Sequence, residues 1–448
     1  MEKSSTSRIK QFRKDHGRII ENFFSLSVLN GISFLFPLIT IPYLTRVLGV
    51  EKFGLWSFAF AIIQYFIIFT SFGFAYSATQ QISVNQTNRR KISDIFSAVI
   101  TVKLMISVLC WFVLMALILF TDQFRRDYLI FIYSFGMVIG DALVPVWLFQ
   151  GMEKMKFITI VNFASKLVFT VLIFVFVRSE ADLLIVPIFN TLGFLIAGII
   201  SFVIAYRIFK LKLVWPKLSE IKIQMKEAWP IFVSTFSINL YRYANVPLLG
   251  FLTNMTMVGY YASAEKVIKG VQSLITPLSD ALFPYMSRRF AADSAGQNVG
   301  FLYRLGKKYF VVLTAISAVF LLFAKPIVTV FLGHKFVDSI PDIQIMSFVV
   351  LFGGMNYFLG IIGLVNMGYK KKFMVFVAIT GLISIINLVW LIYYFADQGA
   401  SASMLISEML LFIMLAVFVF KLKRGTCGTR PHGRGLKHPR SFYYEKRS

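Results

Sequence analysis

The chain has 448 residues, is 57% hydrophobic and only 15% charged, and carries a formal net charge of +25. A soluble domain carries roughly 25% charged residues, so this composition excludes an ordinary soluble protein and points to the membrane. Two cysteines, Cys110 and Cys427, supply no disulfide framework, and the four histidines are scattered over polar ends and one loop, so no metal ligand set is legible.

Apolar stretches of about 20 residues, each long enough to span a bilayer, recur along the chain. They are read over residues 23–45, 54–77, 96–120, 128–149, 157–177, 183–206, 230–252, 258–285, 309–331, 343–366, 373–395 and 400–420. The fold class expected is therefore all-α and polytopic, with about twelve transmembrane helices in two pseudo-symmetric six-helix lobes. Residues 1–22 are polar and basic, without the apolar core and cleavage site of a signal peptide. They read as a cytoplasmic N-terminus, followed by an N-lobe over 23–206. A linker over 207–229 follows, with Trp215-Pro216 and an amphipathic stretch from Leu218 to Met225 expected on the inner membrane surface. The C-lobe is expected over 230–420, and 421–448 as a disordered basic cytoplasmic tail.

The positive charge follows this topology. Most of the 46 Lys and Arg fall in the segments that would face the cytoplasm, and the outer loops hold only Lys52, Arg125, Arg126, Arg178 and Lys335. This bias places both termini in the cytoplasm. It also accounts for the charge without a nucleic-acid partner.

The halves carry a weak repeat. Pro42 and Pro247, Leu44 and Leu249, Gly54 and Gly259, Ala59 and Ala264, and Ile63 and Ile268 stand at one constant offset. An even number of spans separates the copies, so they form a parallel repeat with a site expected between the halves. Pro42 and Pro247 are then candidate hinges in the first helix of each lobe, although each can equally be a plain kink.

Charged residues at membrane depth carry the functional signal, because a cation near the bilayer centre costs about 2.5–3.5 kcal/mol on insertion scales. Arg46 ends the first span and can either snorkel outward or line a cavity. Lys103 lies one to two turns into its span, within reach of the inner headgroups. Asp141, beside Pro145, reads as an unpaired acid able to carry a coupling H⁺ or Na⁺, or to bond backbone freed by the proline. Lys166 sits mid-span behind Asn162 and Ser165. Tyr241 and Arg242 lie in a polar stripe from Asn239 to Asn245 that gains nothing from facing lipid, which suits a substrate wall. Glu265, Lys266 and Lys269 form the densest cluster, with Glu265 and Lys269 on one helix face where they can pair. Lys266 and Lys269 are the candidate anion contacts there, and Glu265 and Asp280 candidate coupling acids. Lys325, before Pro326, reads as structural, and Glu408 as a weaker analogue of Asp141. The alternative for the cluster is a self-neutralising group that merely helps its helix insert. The excess of cations suits an anionic passenger.

The chain contains no P-loop, no HExxH zinc site and no Gly-x-Ser-x-Gly nucleophile turn, so catalysis and direct use of ATP have no foothold in these motifs.

Several segments resemble the bacterial polysaccharide transporter family. They are Pro42 to Gly49 followed by Phe53-Gly54, then Ser77-Ala78-Thr79. Trp147-Leu148-Phe149-Gln150-Gly151-Met152-Glu153-Lys154-Met155 is the most specific, and Val258 to Lys266 and Pro284 to Arg288 extend the match over residues 20–420. This is the O-antigen and capsule flippase branch of the multidrug/oligosaccharidyl-lipid/polysaccharide exporter superfamily. The resemblance implies an undecaprenyl-diphosphate-linked oligosaccharide moved between leaflets of the bacterial inner membrane by alternating access, with H⁺ or Na⁺ antiport and no other cofactor. It implies a cationic cavity, for which spans 1, 2, 7 and 8 are the expected walls, and a polysaccharide polymerase and glycosyltransferases as partners. The chain departs from the pattern at Gln80-Gln81, where relatives often carry an Arg-Glu pair. A cation-coupled multidrug exporter of the same superfamily is the alternative, as is a membrane polysaccharide polymerase or ligase. The exporter should carry a more acidic cavity, and the enzymes normally need a large outer loop.

Overall fold

The computed structural model describes the fold of residues 2–292 and 295–427, with most side chains described from Leu35 to Lys423. Of the tail over 421–448 expected to be disordered, residues 421–427 instead continue the last helix, and the rest lies outside the described residues. Among these residues there are helices, turns and loops but no strand.

In chain order the helices are α1 (Glu2–Ser71), α2 (Phe74–Val84), α3 (Arg89–Phe120), α4 (Asp122–Arg126), α5 (Tyr128–Leu143), α6 (Val146–Gly151), α7 (Lys156–Phe176) and α8 (Ile185–Val203). The second half holds α9 (Leu218–Arg242), α10 (Asn245–Leu252), α11 (Met255–Ala292), α12 (Ala295–Leu322), α13 (Ala324–Ile327), α14 (Ile340–Asn356) and α15 (Lys370–Cys427). Among the described residues, eight helical stretches are long and apolar enough to cross a membrane by length and composition. Their lipid-side character shows on α3, where Leu109, Phe112, Leu119 and Phe120 are all exposed.

Two helices are too long for one crossing, because about 20 residues fill the bilayer core. Each is broken where the chain must turn. In α1 the break is Gly49, with φ 69° and ψ 178°, a conformation that costs a glycine little. In α15 it is Ala396, at φ 47° and ψ −122°. The arms of α15 fold back on each other, as the 2.8 Å hydrogen bond between the Ser407 and Ser384 hydroxyls shows.

Other breaks fall inside spans read as continuous. The stretch 54–77 is interrupted at Phe72-Gly73, where α1 ends and α2 begins. The stretch 128–149 splits because Pro145 disfavours a helical residue before it, leaving Val144 extended at φ −89° and ψ 106°. The stretch 230–252 splits at Tyr243-Ala244. The two repeat-equivalent prolines differ in consequence. Pro42 sits inside α1 without breaking it, whereas Pro247 lies in the first turn of α10, just past a break.

Burial organises the bundle into three apolar clusters. The largest joins both halves, packing Leu44, Phe53, Phe58 and Ile63 with Leu249, Tyr261, Ile268 and Phe336. The second belongs to the first half and the start of α9, and the third to the second half alone. The helices α1 and α11 form the most extensive single pairing. They meet at the repeat-equivalent glycines: a Cβ on Gly54 would stand 1.9 Å from the Met255 carbonyl oxygen, and one on Gly259 2.2 Å from that of Val50. Only backbone fits at this crossing.

The linker is fastened to the first half. The backbone N–H of Lys212 donates to the Ser93 hydroxyl at 3.2 Å, and that of Val214 to the Ser97 hydroxyl at 2.9 Å. Both serines are buried on α3. Trp215 beyond them is almost fully exposed. At the same end α9 docks on α2 through a reciprocal amide pair, Gln81 with Gln224 at 3.0 and 2.8 Å.

Candidate substrate cavity

A cavity of about 1120 Å³ lies between the two halves. The first half contributes α1 around Phe36–Ile41 and Trp56–Phe60, Asp141 on α5, Asn162, Ser165 and Lys166 on α7, and Asn190 on α8. The second half contributes Lys266, Lys269 and Ser273 on α11, with Phe320, Phe323, Pro326 and Phe331 beyond. The amphipathic placement follows from helical spacing. Asn162, Ser165, Lys166 and Phe169 recur at three- and four-residue steps on one face of α7, as do Lys266, Lys269, Gly270 and Ser273 on α11. The walls combine three lysines with amides, hydroxyls and aromatic rings, and the rings stand on both halves, among them Phe36, Trp56, Phe60 and Phe169 on the first and Phe320, Phe323 and Phe331 on the second.

The three lysines are held differently. Lys166 has no hydrogen-bond or ion-pair partner among the described residues, so its ammonium is available to a ligand. Lys269 pairs with Glu265 at 2.8 Å, lies 5.7 Å from the Tyr243 ring, and keeps 43% of its side chain exposed. It can therefore serve the cavity and the carboxylate together. Lys266 donates to the Ser57 hydroxyl at 3.0 Å and sits 5.1 Å from the ring centroids of both Phe53 and Trp56. Glu265 is buried, with the Tyr261 hydroxyl at 3.5 Å, and that hydroxyl accepts from Asn245 at 2.5 Å.

Asp141 is not the unpaired acid its sequence context suggests. Lys103 is buried, donates to the Asp141 backbone carbonyl at 2.9 Å, and reaches its carboxylate at 3.4 Å. The headgroup contact expected of Lys103 is thus replaced by an internal bridge that answers one acid of the cavity wall. No sequence spacing announces this pair, because the residues lie on α3 and α5.

The walls also differ from the expected spans. The cavity draws on α1, α5, α7, α8, α11 and α12, and neither α9 nor α10 lines it. Arg46 is exposed and donates to the Val330 carbonyl at the rim. Arg242 is exposed and placed where its charge acts on Glu408 rather than on the cavity. Tyr241 and Asp280 lie on α9 and α11, but their side chains are outside the described residues.

A second polar region runs through the second half and is acidic. Asn356 donates to the Glu408 carboxylate at 2.6 Å and to its backbone carbonyl at 2.8 Å. Towards the end of the bundle that holds the α15 break, Asp342 and Asp397 are buried side by side, and Ser401 donates to Asp342 at 2.5 Å. Neither aspartate stands out in the sequence, because both fall at span edges.

Comparisons with known proteins agree with this architecture. Residues 19–290 match the family model described as "Polysaccharide biosynthesis protein". The chain is 30% identical over 411 residues to the "Putative O-antigen transporter" of Escherichia coli (strain K12), covering 91% of this chain and 98% of that one. It is 28% identical over 402 residues to the protein of the same name from Shigella dysenteriae, with 89% and 99% covered. Among solved structures it is similar in fold to the lipid II flippase MurJ in an inward closed conformation, with a TM-score of 0.65, 13% identity and 90% of each chain covered. An inward-facing MATE-family multidrug resistance transporter gives a TM-score of 0.63 at 14% identity, covering 87% of this chain and 98% of that one. These two likenesses establish the fold, an all-α polytopic transporter architecture. With the family model spanning more than half of its length, the chain belongs to the polysaccharide biosynthesis protein family.

Proposed function

We propose that the chain is a flippase that moves an undecaprenyl-diphosphate-linked oligosaccharide from the cytoplasmic to the periplasmic leaflet of the bacterial inner membrane. The observation that carries this reading is the cavity itself, with lysines from both halves lining one space among aromatic rings. A diphosphate is answered by Lys166 and Lys269, the amides and hydroxyls of α7 and α8 suit a glycan, and the apolar rings of the wall suit a prenyl chain. The O-antigen transporter names of the relatives and the lipid substrate of MurJ point the same way. A drug exporter with cationic passengers fits poorly, because the one acid on the wall outside α11 is already bridged by Lys103.

In this reading the two lobes, 23–206 and 230–420, rock about the cavity with both termini in the cytoplasm. Glu265, placed against Lys269, is positioned to exchange a coupling H⁺ or Na⁺ as the lysine engages and releases the diphosphate. Asp141 is a second such acid, with Asp280 a third from the sequence pattern. Glycosyltransferases supply the substrate, and a polymerase consumes the product.

The test is reconstitution. Purified protein in proteoliposomes should flip undecaprenyl-diphosphate-linked glycan. Lys166→Gln should slow flipping by about tenfold, the scale of one lost charged contact. An unchanged rate in Lys166→Gln together with Lys269→Gln would remove the cavity from the mechanism.

A further inference from the structure

Lys266 occupies two places at once. It lines the cavity, yet its ammonium is engaged by Ser57, Phe53 and Trp56 of α1, across the junction between the halves. The contact continues outward. Phe53 packs edge-on against Phe336 at 5.8 Å. Phe336 is buried in the turn His334–Ser339, and its neighbour Lys335 closes an ion pair with Glu180 at 2.6 Å. Glu180 belongs to the first half and Lys335 to the second. With the Gly54/Gly259 crossing, this pair clasps the halves at the end that the charge bias assigns to the periplasm.

We propose that Lys266 is the positioning residue that couples an occupied cavity to release of this clasp. Its ammonium rests on the two rings and Ser57 and so holds α1 to α11. A diphosphate held by Lys166 and Lys269 offers a stronger, doubly anionic partner in the same cavity that Lys266 lines. The head cannot serve both. As it turns to the phosphate, Phe53 loses its cation and its seat against Phe336 loosens, and with it the turn that carries Lys335. The ligand thereby favours the open arrangement by the difference in its contacts with the two states, which is what a population shift requires. This inference rests on the diphosphate reading of the cavity.

The test uses the full-length chain in nanodiscs, with Cys110→Ser and Cys427→Ser. Spin labels go on Ala181→Cys and Val337→Cys, which flank the clasp and leave its ion pair intact. Undecaprenyl diphosphate is the probe and undecaprenol the control, and binding of each is measured alongside the inter-label distance. Undecaprenyl diphosphate should populate a longer distance, undecaprenol should not, and Lys266→Arg should behave as wild type. Lys266→Met, which fits among the rings, should still bind undecaprenyl diphosphate within about tenfold of wild type. Its distance distribution should be the same with and without the lipid, a loss of response that a merely packing role would not produce. If Lys266→Met binds the lipid and still opens, the coupling role is overturned while the cavity reading stands. If undecaprenyl diphosphate does not bind the wild type at all, both fall.

Discussion

The cavity between the halves and the polar interior of the second half lie in one bundle and carry opposite charge. The cavity shows three lysines, and its one aspartate is bridged by a fourth. The second region shows Glu408, Asp342 and Asp397, answered by an amide, a hydroxyl and the distant charge of Arg242. Both groups are expensive to keep in a membrane protein, and the expense is met in different ways. The acids of the second half are hydrogen-bonded inwards, as groups that hold helices together are. Of the cavity lysines, Lys166 has no protein partner among the described residues and Lys269 is half-exposed, as groups awaiting a ligand are. Partnering, more than charge at depth, separates the site from the scaffold.

Three substitutions probe that division, in order of expected effect. Lys103→Met strands the partly exposed Asp141 carboxylate beside the cavity and should cost about 1–3 kcal/mol, the scale of a polar group left without its partner. A thermal melt of the solubilised protein should show a large fall, and adding Asp141→Leu should restore most of it. A melt unaffected by the single change would mean that the bridge does not support the wall. Arg242→Gln should lower stability by about 1 kcal/mol or less, as for an exposed charge acting at a distance, and leave flipping within about twofold. A loss of flipping comparable to that of Lys166→Gln would extend the site beyond the cavity. Asp342→Asn keeps an acceptor for Ser401 and removes one of two adjacent carboxyl groups. The melt should stay within about 1 kcal/mol of wild type, and a collapse would show that the pair of acids is itself required.

The same division explains what could be read from the sequence. Helical class and the lysines of α7 and α11 were legible because hydrophobic periodicity and isolated cations at membrane depth are local signals. The glycine repeat was legible as well, and it marks the contact on which α1 and α11 cross. The Lys103–Asp141 bridge was not, since it joins two helices. Arg242 was read as a cavity residue from its polar neighbours, but those neighbours are consumed locally. Asn239 donates back to the Thr235 carbonyl at 2.9 Å, and Asn245 to Tyr261 at 2.5 Å. A polar stripe signals only that partners exist, and here both amides find theirs within the second half.

The two serine anchors on α3 set the length of a leash. They hold the chain to the first half as far as Val214, and α9 begins at Leu218. Only the four steps of chain from Val214 to Leu218, through Trp215, Pro216 and Lys217, are left to give, which is about 14 Å even when fully drawn out. So long as both anchors hold, the end of α9 that follows this leash cannot travel further than that from the first half. Any movement of the halves there must be a tilt about a short tether, with larger excursions confined to the far end of the bundle.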